Sequence, residues 1–183
     1  AGLGWALVQR GYELERMKRR HVIDYIGIDP GITGAIVAIT GDGELIDAWR
    51  TPTLQGDKGK KEYDVPSMVS LLDLSQPAFV GIEKVQAMPR DGRVGAFNFG
   101  RGYGIWLGIL AALKKPHMLF TPQRWQAKML AGLPKGTQTK VSAVSAAKSL
   151  FPDLPIKVKA DWGLADAALI AEYARRQHLG VKA

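Results

Sequence analysis

The chain has 183 residues, enough for one domain with a substantial core and too few for two. At 46% hydrophobic and 23% charged it is not disordered along its length, and without cysteine it has no disulfide, thiolate zinc site or cysteine nucleophile, which fits a reducing cytoplasm. Lys and Arg number 25 against 17 Asp and Glu, a formal charge of +8. That surplus suits either a polyanionic partner or a merely basic soluble protein, and no apolar run reaches the roughly 18 residues of a membrane span.

Residues 1–21 read as an N-terminal extension, with Met17 as the natural start and Lys18, Arg19 and Arg20 leading into the first strand. A short helix docked on the body is the alternative; a signal peptide fits poorly, because no positive segment precedes the apolar residues. Residues 22–183 form one domain. Residues 22–28 are apolar and β-branched, a buried strand ended by Asp29-Pro30-Gly31. A second strand over 35–39, a Gly41-Asp42-Gly43 turn and a third strand over 44–50 complete an antiparallel meander. Residues 51–64 are polar, with Lys58, Lys60 and Lys61, and read as an exposed mobile loop. A helix follows over 65–72, then a strand over 78–82 that ends at Glu83.

Residues 90–99 are rich in Gly and Arg and read as a loop, with a long helix over 99–114 behind it. Pro116 ends that helix, and 117–120 is a fifth strand. Thr121-Pro122 opens a helix reaching Leu130, an Ala/Ser/Lys helix covers 139–150, and a last helix covers 163–177 with Leu164, Ala168, Leu169, Ala171 and Ala174 toward the core. This order predicts an α/β fold, a mixed five-stranded sheet with helices on both faces.

Asp29 and Glu83 end two strands. If those strands are parallel neighbours, both carboxylates leave the sheet at one edge, where ligands of open α/β sheets bind. Asp161 and Asp166 bracket the start of the last helix, which would bring them to the same edge if it crosses there. Acids crowded together repel unless cations lie between them, and oxygen-only ligation suits Mg²⁺ or Mn²⁺. Each residue also has a plain structural explanation: a turn cap for Asp29, a surface strand end for Glu83, an N-cap for Asp161 and a favourable first-turn charge for Asp166.

Ile26-Gly27-Ile28-Asp29-Pro30-Gly31 with Gly34, then Gly81-Ile82-Glu83, then Ala165-Asp166-Ala167 in a terminal helix, resembles the RuvC-type Holliday junction resolvases of the ribonuclease H-like superfamily. The stretch Phe97-Asn98-Phe99-Gly100-Arg101-Gly102-Tyr103-Gly104 and Thr121-Pro122-Gln123-Arg124-Trp125 is most similar to the phage and prophage branch. The resemblance spans residues 22–176. It implies a homodimeric endonuclease of a bacterial or phage-infected cell, acting on four-way DNA junctions, with Asp29, Glu83, Asp161 and Asp166 as catalytic metal ligands for two Mg²⁺ or Mn²⁺ ions. In the branch's last motif an acid–His pair precedes Gly-Arg-Ala-Asp-Ala; here Trp162 takes the His position and Leu164 the Arg position. Indole neither ligates a metal nor moves a proton, so a slow enzyme is implied.

For DNA the candidates are Arg90, Arg93 and Arg101 among glycines, Lys135 and Lys140 around Gly136, and Lys159 leading into Asp161. Met88, Phe97 and Phe99 lie beside the first group; one of them would wedge into a junction, or Phe97 and Phe99 anchor the helix start in the core. Gly100, Gly104 and Gly108 line one helix face, which either packs on the protein's own sheet or forms the dimer interface. Three other readings compete: a nucleotide-binding domain of the actin and sugar-kinase type, a branched-DNA-binding protein without catalysis, and a nuclease for flaps or forks. The first needs a second domain, for which this chain has no room.

Overall fold

The computed structural model describes residues 24–73, 79–85, 92–157 and 161–180, with the Lys58 side chain excepted. The proposed extension over 1–21, together with Met88, Arg90 and Lys159, lies outside the described residues. A five-stranded sheet has the order β3-β2-β1-β6-β7, where β1 is Tyr25–Asp29, β2 Ala35–Ile39, β3 Leu45–Arg50, β6 Phe79–Glu83 and β7 His117–Phe120. β1, β2 and β3 pair antiparallel, while β1–β6 and β6–β7 are parallel. Among the described residues five α-helices accompany the sheet: α1 (Val65–Asp73), α2 (Arg93–Ala112), α3 (Pro122–Met129), α4 (Thr139–Leu150) and α5 (Trp162–His178).

Alternation along the central strands divides the core in two. Ile26, Ile28, Ile36, Ala38, Val80 and Ile82 point to one face and pack with Met68 and Leu72 of α1 and Trp106, Ile109 and Leu110 of α2. Tyr25, Val37, Ile39 and Phe120 point to the other, against Trp125 of α3, Ala143 and Ala147 of α4 and the length of α5. Helices thus cover both faces, as expected. α5 lies between the sheet and α3 and α4, and every residue from Gly163 to Ala174 is buried. A helix apolar nearly all round is what such a middle layer requires.

Two expectations are corrected. Residues 51–64 are not a loop: β4 (Thr53–Gln55) and β5 (Lys61–Tyr63) form a hairpin around a 3₁₀ turn at Asp57–Gly59. Gly59 takes φ +75°, a value that favours glycine, and Tyr63 is buried with the Arg101 guanidinium 5.4 Å from its ring centre. The hairpin is anchored by this long-range contact, whereas its own pattern is polar. α2 begins at Arg93 rather than near Phe99. Its buried half, at Trp106, Ile109 and Leu110, supplies the nucleus, and extending an existing helix backward costs only about 1 kcal/mol at each glycine. Phe97 and Phe99 are therefore not core anchors: they are 69% and 51% exposed.

Candidate active site

The parallel register pairs Ile28 with Ile82, so the next residues, Asp29 and Glu83, end their strands side by side. With period-2 alternation Asp29 shares a face with Gly27, and Glu83 with Gly81. That face is turned to α5. A Cβ on Gly27 would lie 2.9 Å from the Ala171 Cα, and one on Gly81 2.9 Å from the Ala174 Cβ. A Cβ on Gly163 would lie 2.7 Å from the Thr33 carbonyl oxygen, so the first turn of α5 is also pressed onto the β1–β2 turn. The glycines let the helix lie close to the sheet, and this close approach puts Asp166 over the strand ends.

Asp166 consequently acts on both Asp29 and Glu83, and Asp29 on Glu83. Burial, then the charge of Asp166, pushes the Asp29 carboxyl up to about 6, with the Gly31 N–H and Lys140 opposing. Burial, then Asp29 and Asp166, pushes Glu83 up to about 7, against the Trp125 hydrogen bond and Lys140. Burial also raises Asp166, and the Lys140 ammonium bonded to its Oδ2 opposes that rise. Burial tends to lower Lys140, yet Asp166, Asp29 and Glu83 together hold it above the ordinary lysine value. Among the described residues three acids thus share one cation, which leaves a deficit of two positive charges inside the cluster if all three ionise. Among the described residues no group of three or more acids or histidines is placed to enclose an ion. The donor set, anionic oxygen at a strand-end edge and in charge deficit, nonetheless fits Mg²⁺ or Mn²⁺.

Asp161 is placed differently. It caps α5 five positions ahead of Asp166, roughly 140° further round the axis. Its Oδ1 accepts from the Arg50 guanidinium, with Nε at 2.9 Å, and its Oδ2 from the Lys157 N–H at 2.9 Å. Trp162, half-buried, opens the helix beside it. Of the predicted DNA contacts, Arg93 and Lys135 are exposed, Arg101 is exposed over Tyr63, and Lys140 reaches Asp166. Gly100, Gly104 and Gly108 have nothing within 4 Å of an added Cβ, so their face of α2 does not pack on the sheet.

Sequence reasoning missed the partners of Glu83 and Asp161, and assigned Lys140 to DNA rather than to Asp166. The Trp125 indole, fully buried, donates to Glu83 Oε2 at 2.9 Å. The signal was present, since a buried indole N–H needs an acceptor, but the acceptor lies 42 residues away. Arg50, at the end of β3, was read only as a strand terminus.

No protein-family model matches the sequence, and no curated protein does. Solved structures do. RuvC of T. thermophilus in complex with a Holliday junction substrate superposes with TM-score 0.58 at 20% identity, over 83% of this chain and 94% of that one. A Thermus thermophilus RuvC structure gives TM-score 0.55 at 22% identity, over 85% of this chain and 95% of that one. The strand order, the helices on both faces and these superpositions together show that the chain has the same α/β fold as these RuvC structures.

Proposed function

We propose that the protein is a divalent-metal-dependent endonuclease that resolves four-way DNA junctions by paired symmetric nicks. The observation that carries this reading is the cluster of Asp29, Glu83 and Asp166, brought from two parallel strands and a helix to one edge with Lys140 among them. These three acids would hold the Mg²⁺ or Mn²⁺ ions, two per site. When bound, such ions activate water and stabilise the charge that develops in in-line phosphodiester displacement. Asp29 and Glu83 bind protons more tightly than ordinary carboxyls, so they release them as cations arrive. Asp161 would join them only by letting go of Arg50.

Lys140 has a double place in this scheme. It offsets one of the three acids before loading, and once freed from Asp166 its half-exposed side chain would be available to a phosphate. Arg93, Arg101 and Lys135 are exposed cations for backbone contacts, and Arg90 and Lys159 flank the same segments in sequence. Two nicks placed symmetrically on one junction call for two sites. The exposed glycine face of α2, with Phe97 on the same side, would bring a second copy together there; light scattering at micromolar concentration should give a dimer mass.

The test is incubation of a labelled four-way junction with Mg²⁺ or Mn²⁺. Paired nicks on opposed strands are expected. The seat of Lys140 on Asp166 favours one second reading, a junction-binding protein without catalysis, and binding with no nicks under either cation would establish it in place of the first.

A further inference from the structure

We infer that Trp125 is a positioning residue for Glu83: its indole N–H fixes one carboxylate oxygen and so presents the other to the acid cluster. This rests on the reading of Asp29, Glu83 and Asp166 as a metal centre.

The argument begins with topology. β6 and β7 are parallel with Glu83 opposite Phe120, and the Lys84 N–H donates to the Phe120 carbonyl at 2.8 Å. β7 therefore ends beside Glu83. Thr121 then turns the chain and Pro122 opens α3, whose first turn carries Trp125 back over the strand end. The indole ring is fully buried within the core of the α5 face, so its position is set by packing. Its single N–H has one acceptor, Glu83 Oε2 at 2.9 Å.

A carboxylate at a strand end has freedom about its terminal bond. The indole removes it by engaging one oxygen. With Oε2 so engaged, Oε1 is the oxygen left for a cation. A hydrogen-bond donor behind an acidic ligand orients it, and the loss of such a partner typically lowers metal affinity by about 10–100-fold. Phenylalanine fills most of the same space without the donor. Packing alone would predict a stability change in Trp125→Phe with no specific loss in cation binding.

Two measurements test the assignment. Mn²⁺ affinity is read on the full chain by electron paramagnetic resonance, for wild type and Trp125→Phe, with melting curves to confirm folding. A fall of about 10-fold or more is expected, with junction binding in EDTA unchanged. A folded Trp125→Phe that binds Mn²⁺ like wild type overturns the proposal. The second measurement does not depend on that variant folding. The Trp125 indole N–H resonance, assigned by triple-resonance methods in wild type, should move in Glu83→Gln and again when Mg²⁺ is added to wild type. A resonance that stays put in Glu83→Gln overturns the hydrogen bond, whatever the metal does. Wild type that binds neither Mg²⁺ nor Mn²⁺ overturns the metal centre itself, and the role of Trp125 with it, even if the Glu83→Gln shift appears.

Discussion

α5 carries two buried acids within two turns of each other, Asp166 near its start and Glu172 near its end, and they sit in opposite surroundings. Glu172 receives Arg175 Nε at 2.7 Å and Nη2 at 3.0 Å, and Arg176 Nε at 2.7 Å. Burial tends to raise its carboxyl, but the two arginines outweigh that and hold it below the ordinary value. Asp166 has one lysine, shared with two other acids, and its carboxyl is raised. Among the described residues, one end of the helix has two cations for one acid and the other has one cation for three. The first arrangement fastens the helix, with Arg175 also donating to the Gly41 carbonyl at 3.1 Å. The second costs stability unless something positive arrives, as expected of a site rather than a scaffold.

Removing acids from the deficient end should have the largest effect. Asp29→Asn, Glu83→Gln or Asp166→Asn should each lower single-turnover junction cleavage by at least about 10³-fold, roughly 4 kcal/mol of barrier, while binding in EDTA stays near wild type. Near-normal cleavage by any of the three would break the comparison at its functional end.

The same operation at the balanced end should do the reverse. Glu172→Leu leaves Arg175 and Arg176 without their acceptor and should cost about 2 kcal/mol in urea unfolding. Cleavage by the folded variant should be unchanged. A Glu172 variant as stable as wild type would show that the three bonds contribute nothing net.

The pH dependence of stability in EDTA sharpens the contrast. Asp29 and Glu83, at about 6 and about 7 in the fold, keep protons that the unfolded chain has already released. Between about pH 4 and 7 the native state therefore binds more protons, so unfolding free energy falls as pH rises, by about 2 kcal/mol after allowance for coupling and partial exposure. Asp29→Asn should flatten that slope. Glu172, held below its ordinary value, contributes the opposite sign: its stabilisation is present above about pH 4.5 and is lost as pH falls. Urea midpoints across this range read both slopes.

Much of this geometry is legible in the sequence. Tyr25–Asp29 and Phe79–Glu83 are short apolar runs that each end in an acid, and the apolar stretch of α5 around Asp166 needs a middle layer. The β4–β5 hairpin is not legible, because its anchor is Tyr63 against a helix some forty residues on. The early start of α2 is hidden because Gly95 and Gly100 imitate a loop, while stability comes from Trp106 onward. Arg50 on Asp161, Lys140 on Asp166 and Trp125 on Glu83 join residues 111, 26 and 42 positions apart. Such pairs follow from how α3, α4 and β3 are laid against α5 and the sheet, which local periodicity does not encode.

The central claim is that the acid-rich end of α5 and the two strand ends form a cation-binding site. Calorimetric titration of the metal-free protein with Mn²⁺ at pH 8, beside Asp29→Asn and Asp166→Asn, tests it most directly. Wild type should bind saturably, and both variants should bind far more weakly at unchanged fold. Absence of binding in wild type, or equal binding in all three proteins, would contradict the account.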